Sequence, residues 1–293
     1  MEEHLNHGLK FPFVILCLAI ILVFAPANSS SSVIEKITPD ELVAKHLESI
    51  GSSKARNSLK TRVISGMAQV IFHTAPVGQA VGKVVLASEG TKTLLGFSFP
   101  TPVYPREHLG FNGNHFMAAF VTPGVRSVLG NFLMAHDLVF KQGLMGGTLS
   151  SAWPFLDAGG RGAKLEYAGT KKVNDRVLHE LKYQPRGGYD LRITLFFDQE
   201  TFRHLRTEYE RVSAAPTGNR AYANVEEREI RNKMVEEFSD FKIEGGLTLP
   251  HTYKITLSVD AQGGTFLADW IAKLTQFDFN QPIDPSSFSV NLN

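Results

Sequence analysis

The residue types that commonly do chemistry are spread along this sequence. His179-Glu180 and His204 fall in stretches of alternating polarity, which predict β-strands, so adjacent side chains are expected on opposite faces. Between Arg203 and Glu210, charged and apolar residues alternate, which favours cross-strand ion pairs on a solvated face over an acid–base pair. Each histidine is therefore expected in a structural or solvated role, and we predict no catalytic residue and no enzymatic activity.

Motifs for cofactors and metals are also missing from the sequence. It contains no glycine-rich phosphate loop after a strand, no zinc-binding helix motif and no nucleophile elbow. The only cysteine, Cys17, lies in an apolar run near the N-terminus. Arg126 could bind an anionic head group or be an ordinary surface residue, and the sequence leaves both interpretations open. We predict no cofactor and no metal, and the net charge of +1 gives no reason to expect nucleic acid as a partner.

The N-terminus predicts export. Residues 11–25 form an unbroken apolar run after Lys10, and Ala25-Pro26-Ala27 is a small-x-small pattern typical of signal cleavage. A membrane-spanning helix needs about 20 apolar residues, so this shorter run favours a secretory signal peptide over residues 1–27. An uncleaved membrane anchor remains the alternative. The mature protein is predicted to be periplasmic or otherwise exported.

The rest of the chain is predicted to be one domain, residues 38–293, after a serine-rich tether over residues 28–37. Its first element is a helix, with Thr38 and Glu41 able to form a capping box and Gly51 able to end it. About eleven strands at meander spacing follow, several joined by hairpin turns with Gly or Asn. The fold class is therefore mainly β: a single strongly curved antiparallel sheet, an unclosed β-barrel, covered by the N-terminal helix and by helices inserted mid-chain.

A helical insertion is predicted over residues 122–162. Within it, Gln142 to Leu156, hereafter the lid segment, combines three glycines with six large apolar residues, so it fits neither a strand nor a rigid helix. Those apolar side chains should be buried, and the apolar face of the sheet needs cover. Two interpretations of the glycines stay open: they permit a lid that moves over varied ligands, or they only form turns between short helices.

A ligand-binding surface is predicted between the lid segment and the sheet. From Tyr189 to Leu195, alternate apolar residues are expected to point to the concave side of the sheet, toward the helices. The residues predicted to contact ligand come from both sides: Phe132, Leu133, Leu144, Met145, Trp153, Tyr189, Leu191, Ile193 and Leu195.

The order of elements along the chain resembles that of the outer-membrane lipoprotein-sorting carriers of Gram-negative bacteria, the LolA/LolB-like fold. The resemblance rests on the opening helix, "FNGNHFMAAFVTPG", "YDLRITLFFDQETFRHLRTEYE" and the terminal "PSSFSV". The resemblance covers residues 38–290. It implies an unclosed barrel of about eleven strands whose concave apolar face holds acyl chains under helices, with no catalytic residues. Carriers of this family have an arginine on an early strand that latches the lid, whereas the corresponding stretch here, residues 86–100, has none.

These patterns favour an exported carrier that binds a lipid, a lipoprotein acyl chain or a similar amphiphile in an apolar groove between sheet and lid. The alternative is a non-enzymatic structural or envelope-assembly module whose lid is a permanently closed part of the core. The expected partners are lipid or lipoprotein acyl chains and an envelope transport or acceptor protein, and the chain is expected to be a monomer.

Overall fold

The computed structural model describes residues 37–74, 78–157, 161–187, 189–213, 230–261 and 264–290. The predicted signal peptide lies outside these residues, as does nearly all of the predicted tether, so both stay predictions. None of the described helices is long and apolar enough to cross a bilayer.

Twelve strands in the described ranges form one antiparallel sheet, against about eleven expected. They are β1 Thr61–Phe72, β2 Gly78–Glu89, β3 Lys92–Ser98, β4 Arg106–Phe111, β5 Phe116–Ala118, β6 Lys164–Val173, β7 Arg176–Gln184, β8 Arg192–Asp198, β9 His204–Ser213, β10 Ile230–Glu244, β11 Leu247–Ala261 and β12 Gly264–Phe279. The chain enters mid-sheet at β1 and runs to the edge strand β5. It then returns from the other edge, β6, to β12 beside β1. The two edges do not pair, so the predicted unclosed, curved sheet is confirmed.

The N-terminal helix has the ends that the sequence predicts. Helix α1 spans Pro39–Ile50, and Thr38 closes the capping box: its hydroxyl accepts from the Glu41 amide at 3.2 Å, while the Glu41 carboxylate accepts from the Thr38 amide at 2.7 Å. Its inward stripe buries Leu42, Val43, His46 and Ile50. A second short helix, α2, spans Ser53–Ser58 and leads into β1.

The predicted helical insertion lies between the edge strands β5 and β6. It contains helix α3, Val128–Ala135, helix α4, Leu138–Lys141, and two single turns of 3-10 helix, Gly147–Leu149 and Pro154–Asp157. No single element in it is longer than a few turns, because glycines interrupt the chain after α4. The insertion is therefore a string of short helical pieces, and tertiary contacts have to hold it in place.

One face of the sheet is apolar and buried against these helices. On β11, for example, Tyr253, Ile255 and Leu257 alternate inward and are fully buried. The prediction for the run before β8 is correct for Leu191, Ile193 and Leu195 and wrong for Tyr189, which is 52% exposed. Tyr189 lies in the turn before the strand begins, so the inward–outward alternation of the pleat does not extend to it.

Candidate functional site

The lid segment lies on the apolar face and is almost wholly buried. Its large apolar side chains pack in one continuous core with those of the sheet, and only Leu156 keeps partial exposure. Eight of the nine predicted ligand-contacting residues belong to this core, and Tyr189 does not: Phe132, Leu133, Leu144, Met145, Trp153, Leu191, Ile193 and Leu195. The structure thus brings the predicted surface together, and ligand contact by these residues stays a prediction.

The glycines of the lid segment form fixed turns. Gly143 has φ +69°, and a Cβ added there would lie 2.0 Å from the carbonyl oxygen of Ala152. Gly147 has φ +51°, and its added Cβ would lie 2.9 Å from both the His204 ring and the Phe238 ring. Both positions need glycine for backbone angle and for space. Of the two interpretations left open by the sequence, the structure therefore has turns between short helices, and glycine content gives no support for mobility.

A buried arginine reaches the lid segment from the first strand. Arg62 is 1% exposed on the inward face of β1, and its Nη1 donates to the carbonyl oxygens of Thr148 at 2.6 Å and Ser150 at 3.3 Å. Burial lowers the pKa of Arg62 to about 10, so the guanidinium still carries its proton at neutral pH. The stretch in which the resemblance places such an arginine, residues 86–100, has none, and the arginine that bonds to the lid segment lies on β1 instead. The sequence does hold a signal for it: Arg62 is two residues before the apolar Ile64, and residues two apart on a strand point to the same face.

A buried glutamate also anchors the lid segment. Glu236, fully buried on β10, accepts hydrogen bonds from the Tyr209 hydroxyl at 2.6 Å, the Tyr253 hydroxyl at 2.5 Å and the backbone amide of Gly146 at 2.8 Å. Burial raises the pKa of Glu236, and these three donors oppose that rise. The sequence reasoning missed this residue as well, although its spacing between Met234 and Phe238 places a carboxyl on an otherwise apolar face.

Trp153 ties the lid segment to α1. Its Nε1 donates to Nε2 of His46 at 3.0 Å, and Nδ1 of His46 lies 3.0 Å from the carbonyl oxygen of Phe202, to which it donates. Burial lowers the pKa of His46 to about 4, so the ring is neutral at pH 7, as this arrangement requires. The ring of His204 stacks on Trp153 with centroids 4.6 Å apart.

His204 faces the buried, apolar side of the sheet. The alternating run from Arg203 to Glu210 would instead place it on the solvated face with Arg206. The register between β8 and β9 shifts at Phe196/Phe197, so His204 turns to the apolar face while Arg206 stays outside. The remaining charges behave as predicted. Arg206 pairs with Glu208 at 2.8 Å and with Glu237 at 2.6 Å on the solvated face.

Further polar contacts hold the ends of the lid segment. The Ser151 amide donates to Oγ of Ser88 at 2.9 Å, and the Tyr183 hydroxyl donates to Oε1 of Gln142 at 2.8 Å. Arg161 donates to the carbonyl oxygen of Ala152 at 2.9 Å. Beneath the segment, between it and β2 and β3, lies a cavity of about 20 Å³, close to the volume of one water.

Two other residues singled out in the sequence, Arg126 and His179, make contacts within the fold. Arg126 is partly buried, donates to the carbonyl oxygen of Ala118 at 2.8 Å and lies 4.6 Å from the Phe120 ring. His179 lies 2.9 Å from the Tyr167 hydroxyl. Within the described part of the chain, no group of three or more His, Cys, Asp or Glu residues is arranged to hold a metal ion.

No protein-family model matches the sequence, and no curated protein is significantly similar to it. Among solved structures, a DUF1329 family protein from Desulfovibrio piger is 10% identical, with a TM-score of 0.45 over 86% of this chain and 97% of that one. A LolA superfamily protein from Nitrosomonas europaea is 10% identical, with a TM-score of 0.44 over 85% of this chain and 97% of that one. At these identities and TM-scores, ligand and partners have to be argued from this chain's own residues. The described residues form an unclosed antiparallel sheet with helices on its apolar face, which is the architecture that the sequence resemblance implies.

Proposed function

We propose that this protein is an exported carrier that binds an amphiphile, a lipid or a lipoprotein acyl chain, between the apolar face of the sheet and the lid segment. Binding and release would involve no chemical conversion. One observation carries the proposal: the segment that covers the apolar face is attached to it through buried polar groups, chiefly Arg62 and Glu236.

Such attachments suit a cover that is released. In a core that never opens, apolar side chains of similar size would serve as well or better than a buried arginine or glutamate, because each charge loses its hydration on burial. A hydrogen bond, in contrast, has a defined broken state in which both partners return to water or to ligand. Arg62 and Glu236 bond to the same 3-10 turn of the lid segment, at Thr148 and at Gly146, so both latches would break as the segment lifts.

The uncovered face would bind an acyl chain by burial alone. Each methylene removed from water contributes about 0.8 kcal/mol, so a sixteen-carbon chain could contribute on the order of 10 kcal/mol before entropic costs. That gain is comparable to the burial that the lid segment's own large apolar side chains would give up, at about 1.5–3 kcal/mol each. Ligand and lid can therefore exchange on this face with a small net change in free energy.

A permanently closed structural module is the second candidate, and two observations favour it. The glycines of the lid segment are fixed in turns, and the cavity beneath it has room for about one water molecule. The carrier proposal therefore requires the lid segment to move as a preformed unit, with its internal turns kept.

Tryptophan fluorescence separates the two candidates. The sequence has two tryptophans, so Trp270→Phe leaves Trp153 as the sole reporter, and Trp153→Phe leaves Trp270, which packs against Tyr104 and Phe72, as the matched control. The carrier proposal expects a long-chain fatty acid to shift the emission of Trp153 much more than that of Trp270. Native mass spectrometry of the purified protein should also detect bound lipid. A Trp153 spectrum indifferent to saturating ligand, with no lipid bound, would favour the closed module.

Export is the other part of the proposal. N-terminal sequencing of the protein from its native host should begin near Asn28. A mature chain that retains residues 11–25 would instead favour the membrane anchor.

A further inference from the structure

Arg62 is a buried cation that has no counter-ion among the described residues. Its guanidinium forms no ion pair there with a carboxylate, and it donates to the two lid carbonyl oxygens. Its Nε is buried and makes no hydrogen bond to any described residue. A buried charge is ordinarily paired with an opposite charge, because neutral acceptors compensate only part of its lost hydration.

Two other unsatisfied polar atoms lie at this turn of the lid segment or beside it. Oγ1 of Thr148, on the turn, and Nδ1 of His204, on β9, are both buried and have no hydrogen-bond partner among the described residues. Thr148 is the residue whose carbonyl accepts from Arg62, and a Cβ on the preceding Gly147 would lie 2.9 Å from Nδ1 of His204. A cation, a hydroxyl and an imidazole nitrogen therefore flank residues 147 and 148 with hydrogen-bonding capacity left over.

Lifting the lid segment would remove the hydrogen-bond acceptors that now compensate the buried charge of Arg62. The guanidinium would lose the Thr148 and Ser150 carbonyls and stand alone on an apolar surface. Glu236 is a buried carboxyl that contacts the segment, and its oxygens already accept from Tyr209 and Tyr253, which come from the sheet and would stay in place. An open groove would thus present one unpaired cation, and its planar fork matches a carboxylate or a phosphate.

We propose that Arg62 is the head-group subsite of the groove and that the ligand is an anionic amphiphile, whose carboxylate or phosphate takes the place of the two lid carbonyls on the guanidinium. This inference rests on the proposed carrier function and names the class of its cargo. The acyl chain then lies along the apolar face of the sheet. Because the same guanidinium holds either the lid or the anion, binding of the head group and opening of the lid are coupled at one side chain.

The test compares probes that share a chain and differ in the head group. A fluorescent long-chain fatty acid, its methyl ester and an alkyl phosphate of equal chain length are titrated against the unaltered protein, Arg62→Met and Arg62→Lys. Arg192→Met, which removes an exposed arginine paired with Glu210, is the matched control. The readout is the ratio of dissociation constants for ester and acid, since weakening the latch changes both constants together.

The unaltered protein and Arg192→Met should bind the acid at least about tenfold more tightly than the ester, a difference of about 1.4 kcal/mol. That ratio should fall to about one in Arg62→Met. Arg62→Lys replaces Arg62→Met as the test if the Met variant does not fold. In Arg62→Lys the ratio should fall severalfold, because an ammonium lacks the planar, two-pronged donor geometry of a guanidinium. The tighter of the acid and the alkyl phosphate identifies the head group, and inorganic phosphate alone should not displace either probe, which sets a lipid head group apart from a free anion.

Equal affinity for acid and ester in the unaltered protein would overturn this inference and leave the carrier function standing. The same conclusion would follow from an unchanged ratio in Arg62→Lys. Displacement of the probes by inorganic phosphate alone would also contradict it. Failure of all three probes to bind would overturn the carrier function itself.

Discussion

Two of the pieces of chain that cover the apolar face of the sheet are held in different ways. Helix α1 carries its own start and stop signals, Thr38 with Glu41 at one end and Gly51 at the other, and it docks through an apolar stripe and the neutral His46. The lid segment has no comparable local signals. Its turns are fixed by contacts with distant residues, and it is bonded to the sheet by Arg62 and Glu236.

Under the proposed carrier function, one cover leaves the sheet and the other stays. Removing α1 would expose an apolar stripe that has no charged bond to the sheet among the described residues, so α1 would stay in place as a wall. The lid segment has polar bonds to break, and water or ligand could replace each of them. We therefore assign permanence to α1 and exchange to the lid segment, and the following changes test that assignment in order of expected effect.

Gly143→Ala should be the most damaging. The new Cβ would meet the Ala152 carbonyl at a backbone angle that disfavours any side chain, so the free energy of unfolding should fall by about 3 kcal/mol or more, by denaturant titration. Gly90→Ala is the control, because Gly90 also has a positive φ and has open space around it, so its cost should be about 1 kcal/mol. Equal costs for the two variants would mean that the lid segment is packed more loosely than the structure has it.

A titration of stability against pH tests how α3, the first helix of the insertion, is held on the sheet. Burial raises the pKa of Glu107, beneath the start of α3, to about 7, while Ser127 and Tyr104 oppose the rise through hydrogen bonds. A raised pKa in the folded state means that stability is full below pH 4.5 and is lost as the pH rises through 7, by about 3 kcal/mol in total. Glu107→Gln should reduce that fall and leave the part due to Glu236, whose pKa burial also raises, whereas the exposed control Glu200→Gln should leave the whole fall unchanged. A fall that persists undiminished in Glu107→Gln would assign it to another group.

His46→Leu should break the tie between the two covers. It removes the acceptor of the Trp153 indole and leaves a buried N–H unsatisfied, which should cost about 2 kcal/mol. The emission of Trp153 should change as well, since its partner is lost, while exposed His115→Leu should alter neither property. If stability and emission stayed the same, the covers would not be coupled through this bond.

Thr38→Ala should have the smallest effect. It deletes the capping box of α1 and should lower the free energy of unfolding by about 1 kcal/mol, with no effect on amphiphile binding. Glu41→Gln keeps a side-chain acceptor and should cost less. A large loss of binding in Thr38→Ala would show that α1 also moves, contrary to its assigned role as a wall.

The same contrast explains what the sequence could predict. The sequence could predict the fold class, α1 and the solvated face because local patterns determine them. These patterns are the helix caps, the alternating strands and the alternating charges around Arg206. Tyr189 was assigned wrongly because no local signal marks where β8 begins. The inward turn of His204 depends on a register shift between two strands, which is a property of the pair rather than of either sequence.

Arg62 and Glu236 were missed for a related reason. Each is one polar residue in an apolar face, and parity alone does not tell whether it is satisfied by a partner far away in the sequence. Their partners on the lid segment, the carbonyls of Thr148 and Ser150 and the amide of Gly146, are backbone groups, which leave no trace in the side-chain pattern. The latch of the lid could be seen only after the insertion had been placed on the sheet.

In the proposed carrier function the lid segment must lift for an amphiphile to bind, and a reversible tether tests whether it does. The Ser151 amide lies 2.9 Å from Oγ of Ser88, so Ser88→Cys with Ser151→Cys, in a Cys17→Ser background, places two cysteines at this contact for oxidation to a disulfide between the segment and β2. Mass spectrometry measures the oxidised fraction, and the two single-cysteine variants are controls. We expect the oxidised protein to lose binding of a fluorescent fatty acid and to regain it on reduction. Equal binding by the oxidised and reduced forms would contradict the claim.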